Sequence, residues 1–179
     1  MTGDRDITDI CLKLLALESA QQLLEFELDN QKWFEEFIPP RESEFYSLDG
    51  VIDHIQHFLL EYKCHQLLPL LICNANGDII GRLNFTNVDL TKRTAHVGYR
   101  VGKAYLSRGV AKTALGKGLI AMAEKGIKRV FAYVDENNPA SQKVLLANGF
   151  VKVRVVEDYA ILRGEPIHCI EYTCQLKKT

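Results

Sequence analysis

The sequence lacks the features that mark a secreted, membrane-embedded or nucleic-acid-binding chain. Its five cysteines, Cys11, Cys64, Cys73, Cys169 and Cys174, are odd in number and form no Cys-x-x-Cys pair. Neither a zinc knuckle nor a disulfide framework is suggested, and buried thiols in a reducing compartment are expected. Charge of one sign is missing too: 22 Lys and Arg stand against 23 Asp and Glu, for a formal net charge of -1. With no basic run, there is no electrostatic case for direct nucleic-acid contact or for an anionic membrane surface. The most apolar run, residues 67–73, contains Pro69 and falls far short of the about 20 residues that cross a bilayer. The opening MTGDRDITD is polar and acidic, unlike a signal or transit peptide. A soluble, cytoplasmic protein with no membrane partner is the expectation.

What is present is a core. Of 179 residues 47% are apolar, enough for one domain over residues 1–179 and too little for two comfortable ones. No repeat, linker or low-complexity segment interrupts it. Residues 10–17 read as a strand, and Ser19-Ala-Gln-Gln22 as a capping box that opens a helix through Leu28. The aromatic segment WFEEFIPPRESEFYS, with two prolines, reads as an irregular loop. Val51, Ile55, Phe58, Leu59 and Tyr62 then repeat at helical spacing over residues 48–62.

The period changes to two after that helix. LPLLICN and IIGRLNFTNV predict strands joined by a turn at Gly77. TAHVGYRV places Ala95, Val97, Tyr99 and Val101 on one face of a strand and His96, Gly98 and Arg100 on the other. A helix over residues 108–125 follows, with Ala111, Leu115, Gly118, Leu119 and Met122 as its buried stripe. RVFAYVD reads as a central strand covered on both sides. NNPAS opens a short helix with Ser141 near its N-cap, which Gly149 ends. Two closing strands flank a turn at residues 163–166. The order is that of an α/β (α+β) domain with a mixed sheet.

The chemically suggestive stretch is Ser107-Arg108-Gly109-Val110-Ala111. Helix N-termini expose unpaired N–H groups and a partial positive charge, and a glycine lets a ligand approach the main chain. Val110, Ala111, Lys112 and Thr113 would present consecutive amides to a diphosphate, with Arg108 at the rim. The spacing fits neither a P-loop nor a dinucleotide fingerprint.

Together with the strand before it and the central strand and ENNPAS helix start after it, this turn resembles that of the GNAT superfamily of acetyl-CoA-dependent N-acetyltransferases. The superfamily's pyrophosphate turn, [QR]-x-x-G-x-[GA], corresponds to residues 106–111, with Leu106 in place of Gln or Arg. Its later Asn-x-x-Ser corresponds to residues 138–141, followed by a helix ending in Gly149-Phe150. DIIGRLNFTNV, HVGYRVGKAYLSRG and EDYAILRGEPIHCIEY further resemble the bacterial ribosomal-protein-alanine N-acetyltransferases of the RimJ/RimL type, across nearly the whole chain.

The resemblance implies a three-layer fold with a mostly antiparallel sheet of about seven strands and about four helices. It also implies acetyl-CoA as co-substrate. The amides of Arg108, Gly109, Val110, Ala111, Lys112 and Thr113 would hold the pyrophosphate, and main-chain groups of Tyr99, Arg100 and Val101 would pair with the pantetheine arm beside Asn138. Ser141 would stabilise or protonate the departing thiolate. Many relatives have a Tyr four residues beyond that serine, where this chain has Leu145, and many have a Glu where His96 stands.

His96 is therefore the candidate base, with Glu157 and Asp158 as alternatives. An α-amine, with a pKa of about 8, needs less help than a lysine near 10.4. The implied acceptor is thus the N-terminal α-amine of a protein, a ribosomal protein in the subgroup the chain resembles. A small amine (a polyamine, amino acid or antibiotic) and a non-catalytic CoA-binding module are the alternatives. No metal is expected, because His54-x-x-His57 and His65 lack clear further ligands. The aromatics Trp33, Phe34, Phe37, Phe45 and Tyr46 could line an acceptor cleft or form core. The oligomeric state is not legible.

Overall fold

The computed structural model describes residues 9–177, so most of the polar opening lies outside the described residues. Seven strands form one sheet in the order β1-β2-β3-β4-β5-β7-β6. They are β1 Cys11–Leu14, β2 Leu68–Cys73, β3 Ile79–Asp89, β4 Thr94–Val101, β5 Arg129–Asp135, β6 Val151–Leu162 and β7 Glu165–Gln175. Five helices accompany them: α1 Ala20–Asp29, α2 Gln31–Phe34, α3 Leu48–Lys63, α4 Val110–Glu124 and α5 Pro139–Ala147. All neighbouring strands run antiparallel except β4 and β5, which pair in parallel only at Thr94, Ala95 and His96. Beyond that register, β4 has no strand partner on the β5 side.

The period-two pattern of the strands sorts residues between two cores. Leu70, Ile72, Leu83, Phe85, Val97 and Val101 pack with Ala114, Leu115 and Met122 of α4 and Leu145 of α5. Leu71 and Cys73 pack on the opposite face with Leu23 and Phe26 of α1 and Val51 and Ile55 of α3. Helices thus cover both faces of the N-terminal half of the sheet. Gly118 sets the approach of α4: a Cβ there would lie 2.7 Å from Leu83 and 2.9 Å from Phe85, so only glycine lets the helix settle at this depth. The β6–β7 hairpin turns on Arg163 and Gly164, both at positive φ (53° and 77°), the geometry a two-residue hairpin loop requires.

Several local expectations are corrected. Ser19 makes no side-chain cap bond, because residues 17–19 form a 3-10 turn that carries the chain straight into α1. The aromatic segment is not wholly irregular, since α2 and a 3-10 turn at residues 43–45 lie within it. Strand β5 alternates buried with half-buried residues, so one of its faces stays accessible. At the start of α4 the buried positions are Val110 and Ala114, while Ala111 is half-buried. The N-cap of α5 is Asn138, whose Oδ1 accepts the Ser141 N–H at 3.2 Å. Ser141 sits a turn inside the helix, which frees its hydroxyl from capping.

Candidate active site

The parting of β4 from β5 opens a notch flanked by the N-termini of α4 and α5. Helix α4 begins at Gly109, which is held at φ 73° and supplies no side-chain cap. Ser107 just before it also has positive φ, 58°. Thr113 N–H donates to Gly109 O at 3.0 Å, closing the first helical turn. The amides facing outward are therefore those of Val110, Ala111 and Lys112, while that of Thr113 is committed to the helix. Three aligned N–H groups at the end of a fifteen-residue helix suit a dianionic group. Arg108 is half-buried at the rim of this turn, Lys112 is exposed, and Val110 is buried.

The second element of the notch is a hydroxyl pair. Tyr99 Oη lies 2.9 Å from Ser141 Oγ and donates to Ser141 O at 3.1 Å. Burial pushes the Tyr99 phenol up to about 12, against a smaller downward pull from the Ser141 hydrogen bond, so it stays neutral at physiological pH. Leu145 is fully buried, because the position of the missing tyrosine belongs to the core. A phenol reaches Ser141 from β4 instead. Sequence reasoning assigned Tyr99 only a main-chain role, although strand alternation already set its side chain on the face of Ala95, Val97 and Val101, opposite His96.

The opposite face of the sheet is different in character. Register aligns Asn84 with Gly98 and Thr86 with His96 across β3 and β4, and His96 with Phe131 across β4 and β5. The His96 ring lies 5.6 Å from Phe131 and 5.7 Å from Tyr133, and Asn87 Nδ2 is 3.2 Å from its Nδ1. Burial lowers its pKa, against an opposing pull from Glu171, so the ring is neutral at pH 7. Glu171 is buried, accepting from Arg154 Nε at 2.6 Å and Tyr133 Oη at 3.3 Å. A Cβ at Gly98 would meet nothing within 4 Å, so the strip above it is open. Glu157 and Asp158 lie apart from the notch, exposed on edge strand β6, where the Asp158 N–H donates to His168 Nδ1 at 3.0 Å.

Alongside the strip lies a charged cluster that sequence reasoning missed. Glu27 of α1, only 1% exposed, accepts from fully buried Arg82 at 2.9 Å, with Arg41 at 3.5 Å and Arg100 Nη1 at 3.8 Å. The other Arg82 nitrogen, Nη2, meets His54 Nε2 at 2.8 Å, so His54 is tied into this cluster. Among the described residues, no group of three or more His, Cys, Asp or Glu could hold a metal.

The His54 pKa is pushed down to about 3, first by burial and then by Arg82, Arg41 and Arg100. Since this depression exists only in the folded state, the unfolded chain takes up the proton first as pH falls below about 6.5. The associated stability is complete above that value and drains away toward pH 3. Thermal melts between pH 7 and pH 4 are expected to show a falling Tm, and His54→Gln is expected to flatten that dependence.

Comparison with known proteins gives this geometry a family. Residues 9–151 match the family described as Acetyltransferase (GNAT) domain, and the chain belongs to it. A curated relative, the uncharacterized N-acetyltransferase YoaA of Bacillus subtilis, is 29% identical over 90 residues. That stretch is 50% of this chain and 51% of YoaA, so the match spans about half the length of that relative. Among solved structures, the ribosomal-protein-S5-alanine acetyltransferase of Vibrio fischeri matches with a TM-score of 0.89 at 21% identity, over 94% of this chain and 93% of the other. Mycobacterium smegmatis RimJ, in complex with CoA-disulfide, matches at 0.88 and 21% identity, over 96% and 84%. The fold expected from the turn at Gly109 and from Asn138 and Ser141 is the fold found, with five helices where about four were expected.

Proposed function

We propose that the protein transfers the acetyl group of acetyl-CoA to the α-amine of a polypeptide N-terminus. The observation that supports the acetyl-CoA part of this reading is the uncapped start of α4 at Gly109 beside the unpaired edge of β4, while the acceptor follows from the sequence resemblance. The amides of Val110, Ala111 and Lys112 suit the pyrophosphate. The free edge at residues 97–101 suits the two amides of the pantetheine arm, which need partners when buried. Asn138 lies beside that arm and holds the start of α5 in place.

With the thioester in the notch, the acceptor approaches from the strip above Gly98. Its neutral nitrogen attacks the carbonyl carbon, the C–S bond breaks, and the sulfur leaves with the electron pair. Ser141 donates a hydrogen bond to that sulfur and relays to it a proton taken up from water, so that the hydroxyl, oriented by Tyr99, is regenerated. Neutral His96 takes the proton the nitrogen loses, directly or through water, and a main-chain N–H of β4 steadies the oxyanion. Much of the acceleration comes from positioning, because an α-amine is about a tenth neutral at pH 7.

Release of free thiol from acetyl-CoA, measured with Ala- and Ser-led peptides and with spermidine, tests the reading. Turnover with the peptides supports it. Turnover with spermidine alone contradicts the polypeptide acceptor, and no thiol release with any amine contradicts the enzyme. Ser141→Ala is expected to lower kcat by roughly 100-fold, the usual scale for loss of a general acid, with little change in KM for acetyl-CoA. Tyr99→Phe is expected to follow it with a smaller loss, since it disorients the serine without removing it.

A further inference from the structure

Among the described residues, three buried polar atoms on the acceptor face have no hydrogen-bond partner: Arg82 Nε, in a side chain already held by Glu27 and His54, and the pair Asn84 Oδ1 and Arg100 Nη1. Orphaned groups of this kind are costly, and native proteins leave few of them without a ligand or water to complete them. The placement of the pair is ordered. Asn84 lies directly across from open Gly98, and Arg100 is the next residue of β4 on the same face, about 7 Å along the strand. One is an acceptor and the other a cationic donor.

The surroundings of Arg100 add to this. Glu27 is the carboxylate beside three guanidinium groups, which leaves an excess of two positive charges in the cluster, and its closest partner is Arg82 at 2.9 Å. At 3.8 Å the Arg100 Nη1 contact to Glu27 is an ion pair too long to be a hydrogen bond. The guanidinium is packed 5.2 Å above the Phe34 ring and its side chain is 24% exposed, so it is held in place yet reachable. Burial first, and then Arg82 and Arg41, pushes its pKa down to about 10 despite the pull of Glu27. Glu35, at the rim, is engaged by Gln31 Nε2 at 3.2 Å.

We infer that the acceptor is an amine carrying a carboxylate, its nitrogen donating to Asn84 Oδ1 over Gly98 and its carboxylate held by Arg100. This rests on the acetyltransferase reading and sharpens its substrate class. A polyamine is disfavoured, because it would set a second cation against Arg100. The carboxylate could be an acidic side chain near a polypeptide N-terminus or the main-chain carboxylate of a free amino acid.

The test uses the intact protein saturated with CoA, first titrated by calorimetry with CoA alone. N-acetylated products are then titrated in isosteric pairs: acetyl-Ala-Asp-Gly-amide against acetyl-Ala-Asn-Gly-amide, and acetylalanine against acetylalaninamide. The carboxylate member of at least one pair is expected to bind roughly 10-fold or more tightly, the scale of a charge-assisted hydrogen bond. Preference in the first pair places the carboxylate on a side chain, and in the second on the main chain. Arg100→Met is expected to erase the preference, and Arg41→Gln, which thins the same positive field from the loop, to reduce it. CoA binding with no preference in either pair, or a preference unchanged in Arg100→Met, overturns the anion site alone. Failure of CoA itself to bind overturns the site and the acetyltransferase reading together.

Discussion

Gly109→Asp is expected to weaken acetyl-CoA binding by roughly 100- to 1000-fold. A carboxylate at the mouth of α4 would stand about 4 Å from a phosphate, where like charges at an effective dielectric near 20 repel by roughly 4 kcal/mol. It would also cover the three amides that Gly109 leaves open. The substitution carries a backbone cost of its own, because Gly109 has φ 73°. Gly109→Asn is therefore the matched control: asparagine and aspartate both tolerate the left-handed region better than other side chains. The asparagine variant is expected to bind acetyl-CoA well above the aspartate variant, with both folded by circular dichroism. Equal affinities in the two variants would show that no phosphate sits there.

Glu27→Ala is expected to cost about 3–5 kcal/mol of folding stability, the scale for breaking a buried ion pair from one side. Arg82 is fully buried and would lose its carboxylate partner, while Arg41 and Arg100 would lose the charge that offsets their mutual repulsion. In a chain of this size that corresponds to a fall in Tm of roughly 10 °C. The penalty comes from the stranded guanidinium rather than from the absence of a strong bond. Adding Arg82→Met to Glu27→Ala should therefore restore much of the loss. Simple additivity of the two substitutions would contradict this. So would a Glu27→Ala protein as stable as the wild type.

Much of the frame was legible because it is written in local periods. The alternation of β4 assigned Tyr99 and His96 to opposite faces, and the structure keeps them apart on the α5 side and the acceptor side. The turn at Gly77, the helix over α3 and the stop at Gly149 are equally local, each a matter of spacing or of a positive φ. The errors were also local, but they lie where two local readings compete. Ser19 fits a capping box, yet a 3-10 turn takes its place. Asn138 and Ser141 can both cap α5, and the asparagine wins because Pro139 fixes the first helical residue behind it. The covered face expected of β5 failed because an apolar run does not tell a strand buried on both faces from one buried on one.

What sequence could not give is pairing at a distance. Glu27 and Arg82 are 55 residues apart, and each alone resembles an ordinary surface charge. A hint was present: Arg82 interrupts the apolar run of β3, and parity places it with Arg100 and His96 rather than with Leu83. The Tyr99–Ser141 contact has the same origin, joining residues 42 apart whose elements the sheet order brings together.

The most direct test is a crystal structure of the protein with acetyl-CoA. The account predicts the two linked phosphates against the amides of Val110, Ala111 and Lys112, with the pantetheine arm along residues 97–101 and its sulfur beside Ser141. Acetyl-CoA lodged away from the start of α4, or a pantetheine arm not paired with β4, would contradict it.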